Sequence, residues 1–414
     1  MIACSPIEDL ALTSVLVSHP HVAAFAVGLA ESLAIEAKLA AFVTGVAFRE
    51  ASWSGRTAAV LARRWPVLHN RILPAATSQH LRAGFASELG ARLTARALAL
   101  VGPRMSLYDT LFTTHDLVVS LARWPQAVTA VYAYEDGALR TFQRAARGGL
   151  DRIWDLPLPH YRTIEETLAA EFHRWPGAAL GPPHREPDWK QRRKDAELGL
   201  ATRVSVASAF TRESLARLDL RIPITVTPYG FPVDAFALKG GPRAGKFRVL
   251  SVGTHDLRKG TPYLLEAWKR AAIPDAELHL VGPLRLTKSF VDGYAGCFQH
   301  WPHVAKADLG NYYAAADVLA FPTLGDGFGL VIQEAMCSGT PVVTTPCGGG
   351  PECITDGVDG WIVPPRDVDA LAERLRYCAA NRDRVFEIGR AARTRAERWT
   401  WRNAGEALVS ALQS

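Results

Sequence analysis

Gly325-Asp326-Gly327-Phe328-Gly329-Leu330-Val331-Ile332-Gln333-Glu334-Ala335-Met336 joins a glycine-rich turn directly to a short amphipathic run. Glycines let the backbone adopt positive φ and approach a ligand closely. A helix that starts there points free N–H groups and the positive end of its dipole at an anion. Asp326 and Glu334 lie eight positions apart, about two helical turns, so one bound molecule can meet both carboxylates. Phosphate-seeking backbone beside hydroxyl-seeking carboxylates describes a sugar-nucleotide site. The competing reading is a solvated turn followed by an ordinary surface glutamate.

The flanking sequence narrows the choice. Gly339-Thr340-Pro341-Val342-Val343-Thr344-Thr345 ends the helix at a glycine and opens a β-branched strand. Then come Gly348-Gly349-Gly350-Pro351-Glu352, Asp356-Gly357-Val358-Asp359-Gly360 and the strand-like Trp361-Ile362-Val363-Pro364-Pro365; upstream stands Tyr312-Tyr313-Ala314-Ala315-Ala316-Asp317-Val318-Leu319-Ala320-Phe321-Pro322. In this order and spacing, residues 308–375 closely resemble the donor domain of retaining glycosyltransferases of family four. That family's pattern is Glu-Gly-Phe-Gly-Leu, three variable positions and Glu-Ala-Met, then Gly-x-Pro-Val-Val and Gly-Gly-x-Pro-Glu. The resemblance is strong over residues 200–400 and weaker before them. It implies an α/β protein of the GT-B fold: two doubly wound, Rossmann-like parallel-sheet domains facing across a cleft.

Length and composition agree with that class. A chain of 414 residues is too long for one compact core and suits two domains. Hydrophobic residues make up 48% and charged ones 21%, as in ordinary globular chains. Cys4, Cys297, Cys337, Cys347, Cys353 and Cys378 form no CxxC and pair with no histidine at metal spacing, so they read as reduced structural thiols. No segment reaches the ~20 apolar residues that span a bilayer. The most apolar N-terminal stretch, Val22 to Phe48, is broken by Glu31, Glu36 and Lys38 and lacks a basic leader and cleavage site. The expected location is cytoplasmic.

The net charge of +6 is uneven. Arg49, Arg56, Arg63, Arg64, Arg71, Arg82, Arg92, Arg96 and Arg104 are opposed over that interval only by Glu50 and Glu88. The patch has two readings: contact with an anionic membrane surface or acceptor at the inner face of the membrane, or a solvated helical face. No aromatic-plus-basic motif accompanies it, so nucleic acid is not an expected partner.

Two strand–helix series can be read. In the first, strands are predicted at Ser14–Ser18, Val128–Tyr132, Arg152–Asp155, Arg203–Ala207 and Ile224–Pro228. Helices are predicted at Ala138–Arg147, Ile164–Phe172 and Trp189–Leu200, with another carrying Phe25, Leu29 and Leu33. In the second, strands are predicted at Phe247–Val252, Glu277–Val281, Val318–Phe321, Pro341–Thr344 and Trp361–Val363. Lys239 to Lys246 reads as the linker. The expected division is an acceptor-binding domain over 1–230, a donor-binding domain over 231–390 and a helix over 391–414; the resemblance implies that this helix returns to the first domain. Trp-Pro pairs at 65, 124, 175 and 301 read as packing anchors rather than ligand platforms.

Ligands of open α/β sheets bind beyond the carboxyl ends of strands. The predicted strand Phe247–Val252 ends in Gly253-Thr254-His255-Asp256-Leu257-Arg258-Lys259-Gly260, which resembles the family's diphosphate loop. Lys259 falls on its lysine, while Thr254 stands where the family usually has arginine. Arg258, four residues on, offers the missing charge, and both cations would offset charge on a departing diphosphate. Glu334 matches the glutamate that accepts the two ribose hydroxyls. Asp326 falls on the glutamate expected to contact the transferred sugar, and is one methylene short. Backbone N–H groups of Gly327, Phe328, Gly329 and Leu330 would take sugar hydroxyls or phosphate, with the Phe328 ring packing.

No cofactor and no metal is implied: Asp367-Val368-Asp369 matches a metal motif by chance at a helix start. The expected partners are a nucleotide-sugar donor and a glycan or lipid-linked acceptor. In the first domain, Glu135 and Asp155 are candidate catalytic residues and His19 and His160 acceptor-side candidates; each follows a predicted strand, and each also reads as a helix cap or solvated loop group. Two competing functions remain open at this point: a non-catalytic nucleotide-sugar or glycan-binding relic of the same fold, and a sugar-nucleotide epimerase.

Overall fold

A computed structural model describes residues 14–50, 52–61, 71–73, 75–83, 106–231, 233–241 and 245–413. Fifteen strands are described: β1 (Val15–His19), β2 (Leu39–Thr44), β3 (Phe48–Arg49), β4 (Ile72–Leu73), β5 (Leu81–Ala83), β6 (Ala130–Tyr134), β7 (Asp151–Leu156), β8 (Arg203–Val206), β9 (Ile224–Val226), β10 (Phe247–Val252), β11 (Ala276–Val281), β12 (Gln299–Trp301), β13 (Val318–Phe321), β14 (Val342–Thr344) and β15 (Trp361–Ile362). Seven form one sheet in the order β5-β2-β1-β6-β7-β8-β9, and six form another in the order β12-β11-β10-β13-β14-β15, with β3 and β4 paired separately. Every pairing in the two large sheets is parallel.

Parallel strands are covered on both faces, so their sequences run apolar without alternation. β1 and β6 are buried at all five positions. In the second sheet, Leu250, Phe321, Ile332 and Met336 share one core cluster while Leu264, Leu278, Leu371 and Leu375 share another. The strand over β6 starts two residues later than predicted. Val128 N–H closes a turn onto the Pro125 carbonyl, and pairing begins at Ala130, opposite Val15. β2, β3, β4, β5 and β12 are not predicted from the sequence.

The order of strands fixes where a ligand can sit. The second sheet grows outward from β10 through β11 to β12, then restarts at β13 on the other side of β10. The loops after β10 and β13 therefore part at a switch point and leave a crevice. The first sheet has its switch point between β1 and β6, at the loops holding His19 and Glu135.

The chain joins the two sheets at several places. Helix Trp401–Gln413 lies on helix Ala24–Ile35, where Ser32 Oγ donates to the Trp401 carbonyl at 2.5 Å and Leu408 enters the first sheet's core. Glu171, fully buried on helix Tyr161–Arg174, accepts from Tyr263 Oη at 2.5 Å and Arg366 Nε at 2.6 Å. Trp175 stands edge-on to Tyr263 and Phe290; Trp124 lies under the Arg144 guanidinium; Trp301 packs on His279 and Tyr312. These three tryptophans pack, and Trp65 lies outside the described residues.

Of the Arg-rich stretch, Arg63, Arg64, Arg92, Arg96 and Arg104 lie outside the described residues, while Arg49 and Arg71 donate to the carbonyls of Leu81 and Val46. Among the described residues no helix is long and apolar enough to cross a membrane.

Candidate active site

The loop after β10 is a tight turn in which Asp256 Oδ1 accepts the Lys259 N–H at 2.8 Å. Its inward residues pack: His255 is buried with Nε2 against the Val281 carbonyl, and burial lowers its pKa to about 4. Leu257 joins a small cluster with Ala178 and Leu286. Thr254 is half-buried. With the turn held this way, Arg258 and Lys259 face the loop after β13. Arg258 donates to the Gly325 carbonyl at 2.6 Å and stands 3.8 Å from Asp326 Oδ1. Lys259 Nζ lies 2.5 Å from Asp326 Oδ2 and over the Phe321 ring at 4.9 Å. Burial pushes the Lys259 ammonium below the usual lysine range; the Asp326 carboxylate opposes that shift and the Arg258 charge adds to it.

The loop after β13 is held from three sides. Asp326 N–H donates to the Cys347 carbonyl at 2.9 Å, and Gly327 N–H donates to Asp326 Oδ1 at 3.0 Å. Gly327 can only be glycine here, because a Cβ would lie 1.7 Å from the Pro157 carbonyl oxygen of the first sheet's β7 loop. Gly329 takes φ +85° and leads into helix Leu330–Cys337. Phe328 packs against Tyr229, with ring centroids 5.4 Å apart, and accepts the Gly349 N–H at 2.8 Å. Further along that helix, Glu334 Oε2 accepts the Tyr313 hydroxyl at 2.7 Å. Burial raises the pKa of Glu334, with Tyr313 and Lys306 opposing.

Across the crevice, Asp155 is the penultimate residue of β7 and is 2% exposed. Tyr132 Oη donates to its Oδ2 in a short hydrogen bond and lies 2.9 Å from Ser205 Oγ, whose hydroxyl can donate back to the phenol oxygen. Burial raises the pKa of Asp155 to about 7, opposed by Tyr132 and Tyr229 and assisted by Glu135. Burial, then the charges of Asp155 and Asp326, hold the Tyr229 phenol well above its usual value. Glu135, beyond β6, is bound by Lys194 at 3.2 Å and is pushed up to about 7, chiefly by burial.

The two candidate histidines are buried. His160 stands immediately before helix Tyr161–Arg174 without a side-chain capping bond, with Nε2 4.0 Å from Asp195; burial lowers its pKa to about 4. His19 is enclosed by Phe25, Phe112 and Tyr134, takes the His21 N–H on Nδ1 at 3.0 Å, and is lowered to about 3 by burial.

The structure thus brings together Lys259, Arg258, Asp326 and the Gly327–Leu330 backbone, with Glu334 behind them and Asp155 opposite. It sets Glu135 in an ion cluster with Lys194 and His19 in an aromatic cage. Asp367 caps helix Val368–Ala380 through the Ala370 N–H, and Asp369 pairs with Arg270 at 2.6 Å. Among the described residues no group of three or more His, Cys, Asp and Glu side chains is placed to hold a metal ion. Ser208, Thr211, Tyr132, Tyr229 and Tyr313 contribute to these loops without having been singled out as site residues. Ser208-Ala209-Phe210-Thr211 after a strand carries a helix-cap signal that marks one of them.

Residues 246–381 match the family model of glycosyl transferases group 1. The D-inositol 3-phosphate glycosyltransferase of Saccharomonospora viridis is 41% identical over 108 residues, 26% of this chain and 25% of that protein. Its counterpart in Mycobacterium bovis is 39% identical over 116 residues, 27% and 24% of the two chains. The match spans about a quarter of the length of these curated relatives. Sucrose-phosphate synthase from Thermosynechococcus elongatus superposes with a TM-score of 0.64 at 19% identity, over 96% of this chain and 97% of that one. Anabaena HepE, solved in complex with UDP and glucose, superposes at 0.60 with 16% identity over 96% and 98%. These likenesses take in both sheets, and the fold is GT-B.

Proposed function

We propose that this chain is a retaining glycosyltransferase that moves a sugar from a nucleoside diphosphate donor to a hydroxyl of a glycan or lipid-linked acceptor. One observation carries the reading. Two cations from the loop after β10 converge on the carboxylate of the loop after β13, at the switch point of the second sheet, and a helix begins beside them.

Breaking the bond from sugar to diphosphate builds negative charge on the leaving oxygens. Lys259, Arg258 and the helix start at Leu330 are fixed donors aimed at that charge, and such preorganised groups lower barriers most in a water-poor site. The reading needs no metal, since these groups supply the compensating charge. In the unliganded site Lys259 is paired with Asp326. The diphosphate takes Asp326's place on Lys259 and frees the carboxylate to accept a sugar hydroxyl. Glu334 accepts the vicinal ribose hydroxyls on its two oxygens. On this reading the departing phosphate takes the acceptor proton on the same face, which conserves anomeric configuration.

A thermal-shift screen of UDP-, GDP- and ADP-sugars tests the donor class, because a ligand that binds only the folded chain raises the midpoint. One of the three is expected to raise it, and the anomer of the product, read by NMR, then reports retention. No shift with any of them would sink the proposal.

A further inference from the structure

The donor loop is held by residues of the opposite domain. Ser208 and Thr211 follow β8 of the first sheet and are both fully buried. Ser208 Oγ donates to the Gly327 carbonyl at 2.6 Å, and Thr211 Oγ1 donates to the same oxygen at 3.2 Å. A carbonyl oxygen has two lone pairs and can accept both. The next residue, Ala209, donates its N–H to Glu352 Oε1 at 2.6 Å. Glu352 belongs to the Gly348–Glu352 turn, whose Gly349 N–H donates to the Phe328 carbonyl. One helix start on the acceptor side therefore grips both the Gly325–Gly329 loop and the turn that packs on it.

We propose that Ser208 and Thr211 are positioning residues for the nucleotide-sugar donor, making the shape of its binding loop depend on closure of the two domains. The inference rests on the donor reading above. The physical link is the Gly327 peptide. Its carbonyl takes the two hydroxyls, while its neighbouring N–H holds Asp326 Oδ1. If the domains part, the Gly327 carbonyl loses both donors, the Gly327–Phe328 peptide is held less firmly, and the aim of Asp326 at Lys259 and at the sugar loosens. Preorganised geometry of this kind is what binding and transition-state stabilisation draw on.

Ser208 has a second role that could imitate the first. Its Oγ also accepts the Thr211 N–H at 3.2 Å, capping the short helix Ala209–Glu213. Thr211→Val separates the two, since it removes a hydroxyl facing Gly327 and leaves the cap in place.

The test uses the full chain, with UDP, GDP and ADP as probes in calorimetry and hydrogen exchange at residues 326–330. Thr211→Val is expected to weaken binding of the preferred nucleotide severalfold and Ser208→Ala about tenfold, the scale of one hydrogen bond. Both variants should speed exchange in the loop, while Thr211→Ser restores wild-type values and Thr211→Val leaves the unliganded midpoint nearly unchanged. Variants that lower only the midpoint, with nucleotide affinity and loop exchange unchanged, would reduce Ser208 to a helix cap and overturn the inference. If the wild type binds none of the three nucleotides, the donor reading falls; unchanged loop exchange in the variants would overturn the positioning separately.

Discussion

Glu334 gives the sharpest test of how the site reads a nucleotide. One of its oxygens is already engaged by Tyr313, whose ring is fully buried. Glu334→Ala therefore does two separable things. It leaves the Tyr313 hydroxyl without its acceptor in a dry setting, at a cost of about 1–3 kcal/mol of stability. It also removes a charged acceptor from the ribose diol, worth about 1.5–3 kcal/mol of donor binding, or one to two decades in Kd. Glu334→Gln separates the two, because an amide oxygen still accepts from Tyr313 while the charge is gone. Calorimetry with the preferred nucleoside diphosphate and its 2′-deoxy analogue reads the diol contact directly. The wild type should prefer the ribonucleotide by about tenfold, Glu334→Gln by less, and Glu334→Ala not at all. A folded Glu334→Ala that still discriminates as the wild type does would refute the assignment.

Lys259→Ala should lower kcat by about 10²-fold and affect KM less, because the charge it meets grows as the sugar leaves; steady-state kinetics reads the split. EDTA should leave transfer intact, and activity lost on chelation and restored by magnesium or manganese would overturn the metal-free mechanism. Asp155→Asn should make stability less dependent on pH. The folded-state pKa, near 7, lies above the unfolded value of about 3.9, so Asp155 costs no stability below about pH 4, costs increasingly up to about pH 7, and levels off beyond. The full difference is on the order of 4 kcal/mol at most. Asparagine keeps an acceptor for Tyr132, so the variant should melt higher than wild type at about pH 8 and equally at about pH 3; a lower midpoint at pH 8 would contradict the burial argument.

The second sheet was legible where strand ends are chemically marked. Phe247–Val252 and Val318–Phe321 match the predicted spans residue for residue, because each is an apolar run closed by glycine or proline. β2 was hidden. Leu39–Thr44 is apolar on both faces and follows an apolar helix, so periodicity alone cannot divide them. The break is the Glu36–Lys38 turn, where Ala37 adopts φ +55°, a conformation its side chain does not announce. β12 was hidden for the opposite reason: Gln299-His300-Trp301 sits at a sheet edge and is only partly buried. In the site, Asp326 and Glu334 are marked by their local spacing, and Lys259 by the resemblance of its loop to a known diphosphate loop. Ser208 was not legible in this way, because its bond to Gly327 spans 119 positions and exists only once two domains meet.

The two departures from the family pattern concern a single small region. Thr254 removes a cation from the diphosphate loop, and Asp326 shortens a carboxylate in the facing loop. Arg258 lies four residues on, where its guanidinium reaches the Gly325 carbonyl and stands beside Asp326. The shorter acid is consistent with the same arrangement. With Gly348 close against its Cβ and Gly327 N–H fixing one oxygen, the carboxylate sits between two cations rather than reaching past them. A glutamate would have about 1.5 Å more reach. The carboxylate of Asp326 is therefore met by two cations at the place where a diphosphate would bind.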